Sequence, residues 1–252
     1  MSGERLAFAI VIMLAYLIEG IIGFGGTIIA LPVEGMLVGL KSAVPALTIV
    51  VFFASVVIAA RDFRHIDRGQ YLKIALIMAI GLLPGMWLFA SIPERPLKLL
   101  LGIFMIVVGL KGLKEKVYDR RLIRLGKKQP GVKRAMPSWL GNTLLALGGI
   151  IHGAFASGGP FVVVYATEAI PGKSRFRATL CALWATLNGI MILFYAISGE
   201  LTGEVLALSA WSLPFVAVAI VLSNIIHHRV NGEIFSVFVY AALTVAGMIM
   251  TL

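Results

Sequence analysis

Residues 42–60, 178–197 and 205–226 each pass without a single charged side chain. Each stretch is about as long as the ~20 apolar residues that a helix needs to cross the hydrocarbon of a bilayer. No water reaches the backbone there, so its N–H and C=O groups must pair within the segment, and such runs are committed to helix. Bounded by glycine, proline and charge, the apolar runs are 6–18, 28–40, 42–60, 71–90 and 97–110, then 139–151, 161–170, 178–197, 205–226 and 234–252. Of 252 residues, 60% are hydrophobic and 13% charged, with mean hydropathy +0.97, which excludes a water-soluble domain and leaves no length for a soluble catalytic one. The expectation is an all-α integral membrane protein. The first run leads into a glycine-rich break rather than a small-residue cleavage site, so it is expected to be a retained membrane element. The single cysteine, Cys181, excludes an intrachain disulfide.

The runs fall into two fives about a polar tract. This divides the chain into a first membrane repeat over residues 1–110, a linker over 111–138 and a second repeat over 139–252. Glu19, Gly20, Gly25 and Gly26 have mates in His152, Gly153, Gly158 and Gly159, each 133 positions on, and Lys41 and Ser42 have mates in Lys173 and Ser174, 132 on. A repeat this long is a duplicated half rather than a solenoid.

Charge orients the halves. Lys and Arg number four over residues 61–73, ten in the linker and three at Lys173, Arg175 and Arg177, with one more at Arg229. The other four, Arg5, Lys41, Arg95 and Lys98, fall in the alternate set of loops. If the rich set is cytoplasmic, the linker is inside and both termini are outside. The basic loop at 61–70 then corresponds to the acidic loop at 198–204, which carries Glu200 and Glu204 and no base. An odd number of crossings per half produces that reversal, the inverted-topology repeat common among secondary transporters. The linker's ten bases stand against Glu115 and Asp119, which accounts for most of the net charge of +10. That charge is expected to be a solvated cytoplasmic loop, with an anionic-lipid or partner site as the alternative. Without aromatic interleaving it does not point to nucleic acid. A short interfacial helix around 117–125 is possible, since Arg120, Arg121 and Arg124 alternate with Leu122, Ile123 and Leu125.

Neither Gly25-Gly26 nor Gly158-Gly159 belongs inside a helix, where each glycine costs about 1 kcal/mol relative to Ala. Unwound backbone at membrane depth is tolerated only when buried in protein or lining a cavity. The runs that follow are too short to span comfortably, so each half is expected to carry a helix-break-helix hairpin with the break near mid-membrane. A helix start exposes unpaired N–H groups and the positive end of the dipole. Two such starts brought together make an anion cradle that needs no basic side chain. The candidate substrate-binding residues are therefore Gly25, Gly26, Thr27, Ser157, Gly158 and Gly159, with Pro160 suited to a first helical turn. The competing reading is close helix packing, to which Gly149 and Gly153 are suited by their spacing of four.

These strings, Gly20, Gly23, Gly25, Gly26 and Thr27 with Pro32, and Gly149, Gly153, Ser157, Gly158 and Gly159, resemble the duplicated glycine-rich motif of the TauE/SafE family of sulfite exporters and organosulfonate permeases. The loop carrying Arg64, His65, Ile66 and Asp67 is similar to that family's loop after its early helices. The likeness extends over essentially the whole chain. It implies transport of small sulfur-containing or organic anions such as sulfite, sulfoacetate or taurine-like sulfonates, coupled to a cation gradient. The chain departs from the usual all-glycine pattern at Thr27, Ala156 and Pro160.

Ionisable groups inside apolar runs are expensive, so they are paired, neutralised or functional. Glu19 and His152 are repeat mates beside the two breaks and are expected to face each other near the axis, coupling proton movement to anion movement. The alternative is a static pair that fixes the hairpins. Asn188, an amide in mid-span, is a further candidate donor to the anion, or else a helix contact. Thr48, Ser55 and Thr186 are weaker candidates, because a hydroxyl can bond its own helix. Glu34 and Glu168 are expected at the interface. His227 and His228 lack acidic or cysteine company, so no metal or cofactor is expected.

The function expected is thus a secondary transporter for a small anion in the bacterial inner membrane, with lipid around it and a proton or cation as coupling ion. A homodimer through its outer faces is compatible with the pattern. A passive anion channel or a structural membrane subunit remains open. An intramembrane protease built on Ser157 and His152 is the remote alternative, because no later His lies within a membrane run.

Overall fold

A computed structural model describes the backbone of residues 2–22, 25–124, 136–226 and 232–251. Described elements of the first half are α1 (Ser2–Ile22), α2 (Gly26–Leu37), α3 (Leu40–Arg61), a 3-10 turn at Phe63–His65, α4 (Arg68–Ser91) and α5 (Glu94–Arg124). The second half follows with α6 (Ser138–Phe155), α7 (Gly159–Ala169), α8 (Lys173–Ser198), α9 (Gly203–Ile226) and α10 (Gly232–Thr251). No strand occurs among the described residues. Five of these helices, α3, α4, α5, α8 and α9, contain stretches long and apolar enough to cross a membrane. Their outward faces are apolar as well: Leu72, Leu76, Ile80, Leu83 and Trp87 form an exposed stripe along α4, at the spacing of one helix face.

Two boundaries differ from the sequence reading. The first helix runs on past residue 18, so that Glu19 sits in its last turn. Residues 117–124 continue α5 instead of forming a separate interfacial helix, because nothing between 94 and 124 breaks the helical backbone. Leu125, most of the linker and the loop with His227, His228 and Arg229 lie outside the described residues.

The packing follows a pattern of exchange. Helix α4 lies on α6 and α1 on α9; α3 lies on α8 and α5 on α10; α3 also meets α9, as α8 meets α4. Exchanging the two halves converts each of these pairings into itself or into another of the set. The α4–α6 contact is backbone-close. A Cβ on Gly81 or Gly85 would run into the carbonyls of Ala146 and Ile150, and one on Gly149 or Gly153 into those of Met78 and Leu82. Helix packing thus accounts for Gly149 and Gly153.

Polar contacts identify the bundle ends. Lys41, at the start of α3, donates to the carbonyls of Phe89 and Ala90 at the end of α4, and Glu94 accepts from Leu40 N at 3.1 Å. At the other end Asp67 caps α4 by accepting from Gln70 N at 3.1 Å, donates its own N–H to Thr179 Oγ1 at 2.9 Å and pairs with Arg175 at 3.0 Å. Helix α3 therefore starts where α4 finishes, and α8 starts where α3 finishes. The basic loops at 61–68 and 173–177 lie together at one end.

Candidate anion-binding site

Both breaks form as short helix starts. The first is held by Gly25, whose φ of +100° lies in the left-handed region that glycine enters without strain. In the second, α6 ends on Ala156 at φ +51°, followed by Ser157, Gly158 and then α7 with Pro160 in its first turn. Neither Gly25 nor Gly158 caps its helix with a side chain, so the leading N–H groups of α2 and α7 are left for other acceptors.

Residues of the opposite side of each break reach back to those amides. Glu19 Oε2 accepts from Gly26 N at 2.7 Å, and His152 Nδ1 accepts from Gly158 N at 3.4 Å. Each thus accepts from a backbone amide of its own break, one residue apart in register, because Gly26 corresponds to Gly159 and Gly158 to Gly25. Accepting at Nδ1 leaves the imidazole proton on Nε2, a donor. His152 is buried, and its Nε2 has no partner.

The bundle brings both breaks to one small cleft of about 30 Å³, lined by Glu19, Gly25, Thr27, His152, Ser157 and Gly159, with Ile28, Val51, Ala156 and Trp184. Helix starts α2 and α7 and the His152 Nε2 form a donor set suited to an anion, and the low-dielectric surroundings strengthen each donor. A side chain on Gly25 or Gly159 would meet nothing within 4 Å. Gly26 and Gly158 differ. A Cβ on Gly26 would collide with the Glu19 carboxylate, and one on Gly158 with the Gly148 carbonyl and His152. The ligand-approach reading thus fits Gly25 and Gly159, and the packing reading fits Gly158.

Asn188 does not line the cleft. It is fully buried and its Nδ2 donates to Trp184 O at 2.8 Å, one turn back on α8. It neighbours the imidazole, yet its Oδ1 has no partner at hydrogen-bond geometry. One of its two N–H donors is thus spent on its own helix, and its place outside the cleft lining puts it behind His152 rather than against an anion. Ser157 spends its hydroxyl proton on Phe155 O at 2.9 Å, leaving only lone pairs toward the cleft. With that proton on Phe155 and Nδ1 on Gly158, Ser157 and His152 make no nucleophile-base pair.

Trp184 went unremarked in the sequence. It stacks on His152 with ring centroids 5.0 Å apart and walls the cleft. Its spacing of four from Asn188 was the available signal, since residues i and i+4 share a helix face. Glu34 reverses its expectation. It is 0% exposed and both carboxyl oxygens lack partners, because α2 is surrounded by α1, α3, α5 and α10 rather than lying at an interface. Glu168 does lie exposed, accepting from Met136 N at 3.0 Å. Among the described residues no cluster of His, Cys, Asp or Glu could hold a metal.

Gly25 also borders a larger apolar groove of about 220 Å³ between α5, α7 and α10, where Phe104 and Phe161 stack at 5.8 Å.

A model of the family described as sulfite exporter TauE/SafE matches residues 8–250. Among curated proteins, the probable inner membrane transporter protein TsaS of Comamonas testosteroni is 25% identical over 173 residues, covering 68% of this chain and 66% of that one. The chain therefore spans just under two thirds of that relative's length. No solved structure matches the chain significantly. A family match over nearly the full length, on a multi-pass helical bundle with two broken hairpins, establishes that this chain belongs to the sulfite exporter TauE/SafE family of membrane transporters.

Proposed function

We propose that this protein is a secondary transporter that moves a small anion, either sulfite, an organosulfonate or a related sulfur-containing or organic anion, across the bacterial inner membrane. The observation that carries this reading is the single cleft in which the starts of α2 and α7 meet an unpartnered imidazole N–H. Gly25, Thr27 and Gly159 would supply its floor, and Gly26, Ser157, Gly158 and Asn188 would set its geometry. Glu19 and His152 would couple anion movement to a proton or another cation. The apolar groove that also reaches Gly25 would take the carbon body of an organosulfonate; sulfite would leave it unused.

The opposed starts of α3 and α8, and the exchanged pairings of the helices, support two inverted halves. In such a pair, rocking of one half against the other opens a central site to either side in turn. The gathering of basic loops at one end supports a cytoplasmic linker and external termini. The apolar outer faces would meet lipid, or a second copy in a homodimer.

A stabilisation screen of purified protein against sulfite, sulfate, sulfoacetate, taurine and simple carboxylates tests the substrate class, since a bound ligand raises the melting temperature by mass action. Stabilisation by sulfoacetate or sulfite is expected; stabilisation by carboxylates alone removes the sulfur preference. In proteoliposomes, His152→Ala is expected to abolish uptake driven by a pH gradient. Channel-like currents from the wild type would replace the carrier with a pore.

A further inference from the structure

We propose that the Glu19 carboxylate is a tethered anion that competes with the transported one for the Gly26 N–H, and that Arg177 receives it when it lets go. This rests on the anion-site reading above. Glu19 Oε2 holds the first amide of α2 at 2.7 Å, and the space in front of Gly26 is filled by that carboxylate. Gly25 and Gly159, on either side of the same cleft, face open space. A carboxylate and a sulfite or sulfonate oxygen are the same kind of acceptor, and one N–H cannot serve both. As it stands, the α2 half of the cradle is closed by the protein's own anion.

Glu19 also borders a space behind it. Its side chain lines a second, small cavity of about 20 Å³, together with Tyr16, Ser55, Arg177, Cys181 and Ser223, room for a displaced carboxylate oxygen about the size of a water. Tyr16 Oη is buried there without a hydrogen-bond partner. Arg177 lies within electrostatic reach of Glu19. The carboxylate is thus the partition between the two cavities, with a cation and a phenol in the chamber behind it. The charged and titratable groups around it are Tyr16 on its own helix, Arg177 and Cys181 on α8, and His152 across the cleft on α6. An anion arriving at Gly26 displaces Glu19 by hydrogen-bond competition and charge repulsion, and Arg177 compensates the displaced carboxylate. When the anion leaves, Glu19 recloses the amide. Arg177 is accordingly a positioning residue that acts through Glu19, and it lies at the end of the bundle where the basic loops gather.

A double-mutant cycle separates these roles. Purified full-length wild type, Glu19→Gln, Arg177→Gln and the double variant are titrated calorimetrically with sulfite and with sulfoacetate. Glu19→Gln keeps an acceptor for Gly26 but loses the charge, and is expected to bind about tenfold tighter, the scale of one charge-assisted hydrogen bond. Arg177→Gln is expected to bind about threefold weaker or more, and that loss is expected to vanish in the Glu19→Gln background. If Glu19→Gln binds no tighter than wild type, the competition is overturned and Glu19 is a structural cap. If the loss from Arg177→Gln persists undiminished in the Glu19→Gln background, Arg177 acts on the anion directly and its part in the proposal is overturned. If neither wild type nor Glu19→Gln binds either anion, the anion site itself falls. A second variant covers a Glu19→Gln that fails to fold. Glu19→Asp keeps the charge but shortens its reach to the Gly26 N–H, and is expected to bind sulfoacetate tighter than wild type. Binding no tighter in a folded Glu19→Asp contradicts the competition.

Discussion

The two breaks are built to one plan and finished differently. In the first, a carboxylate closes the leading amide at 2.7 Å and a glycine takes the left-handed turn. In the second, a neutral imidazole accepts at 3.4 Å, an alanine takes the left-handed turn and the helix opens with a proline. Glu19 brings to its break a charge that opposes an incoming anion, whereas His152 brings a donor that welcomes one. On the proposed reading, two helix starts with different caps would divide the work, the first guarding the site and the second binding. The difference also explains why the two pairs of glycines are not interchangeable. Gly26 is hemmed in by a movable side chain and Gly158 by backbone.

The largest test of that comparison is Gly158→Leu, whose side chain would be forced against the Gly148 carbonyl and His152. Overpacking of this kind costs about 1–3 kcal/mol and more against backbone, so loss of folded protein in size-exclusion profiles is expected. Survival with a normal profile would mean that the second break is as loose as the first. Gly159→Leu meets open space in the cleft instead, and is expected to keep its melting temperature while losing anion affinity about a hundredfold by calorimetry, or roughly 2.7 kcal/mol. Retained affinity in that variant would remove the cleft as the binding site. Glu34→Met replaces a buried carboxyl without partners, and is expected to raise stability by about 1–3 kcal/mol in chemical denaturation. Its mirror-half neighbour Glu168→Gln, at an exposed position, is expected to shift stability by under about 0.5 kcal/mol. A further test contrasts the two left-handed turns. Ala156→Gly is expected to gain, and Gly25→Ala to lose, about 1 kcal/mol, because only glycine enters that region freely.

Much of the fold was legible because in hydrocarbon the backbone has few options. Runs without charge become helices, glycine pairs become breaks, and α2 and α7 start within two residues of where their apolar runs begin. The pairing of Glu19 with His152 as equivalent residues was legible in the 133-residue offset. What each one touches was not. Both were expected to face each other, and each instead caps a backbone amide in its own half while the two share one cleft. Asn188 reads as a donor because mid-span amides need partners, and it does donate, but to the Trp184 carbonyl of its own helix, a partner that the sequence does not name. Glu34 read as interfacial because its run ends soon after it, and run length carries no information on the neighbours that bury a helix.

Sequence alone therefore determined the membrane class, the breaks and the chemical types placed beside them, since all of these follow from local hydropathy, spacing and charge. Tertiary structure decided which glycines face space and which face backbone, that Trp184 walls the site, and that Glu19 stands between two cavities with Arg177 behind it. Those depend on contacts between helices far apart in the chain, where distances of a few tenths of an ångström separate a ligand's path from a packed core, and no local pattern encodes them.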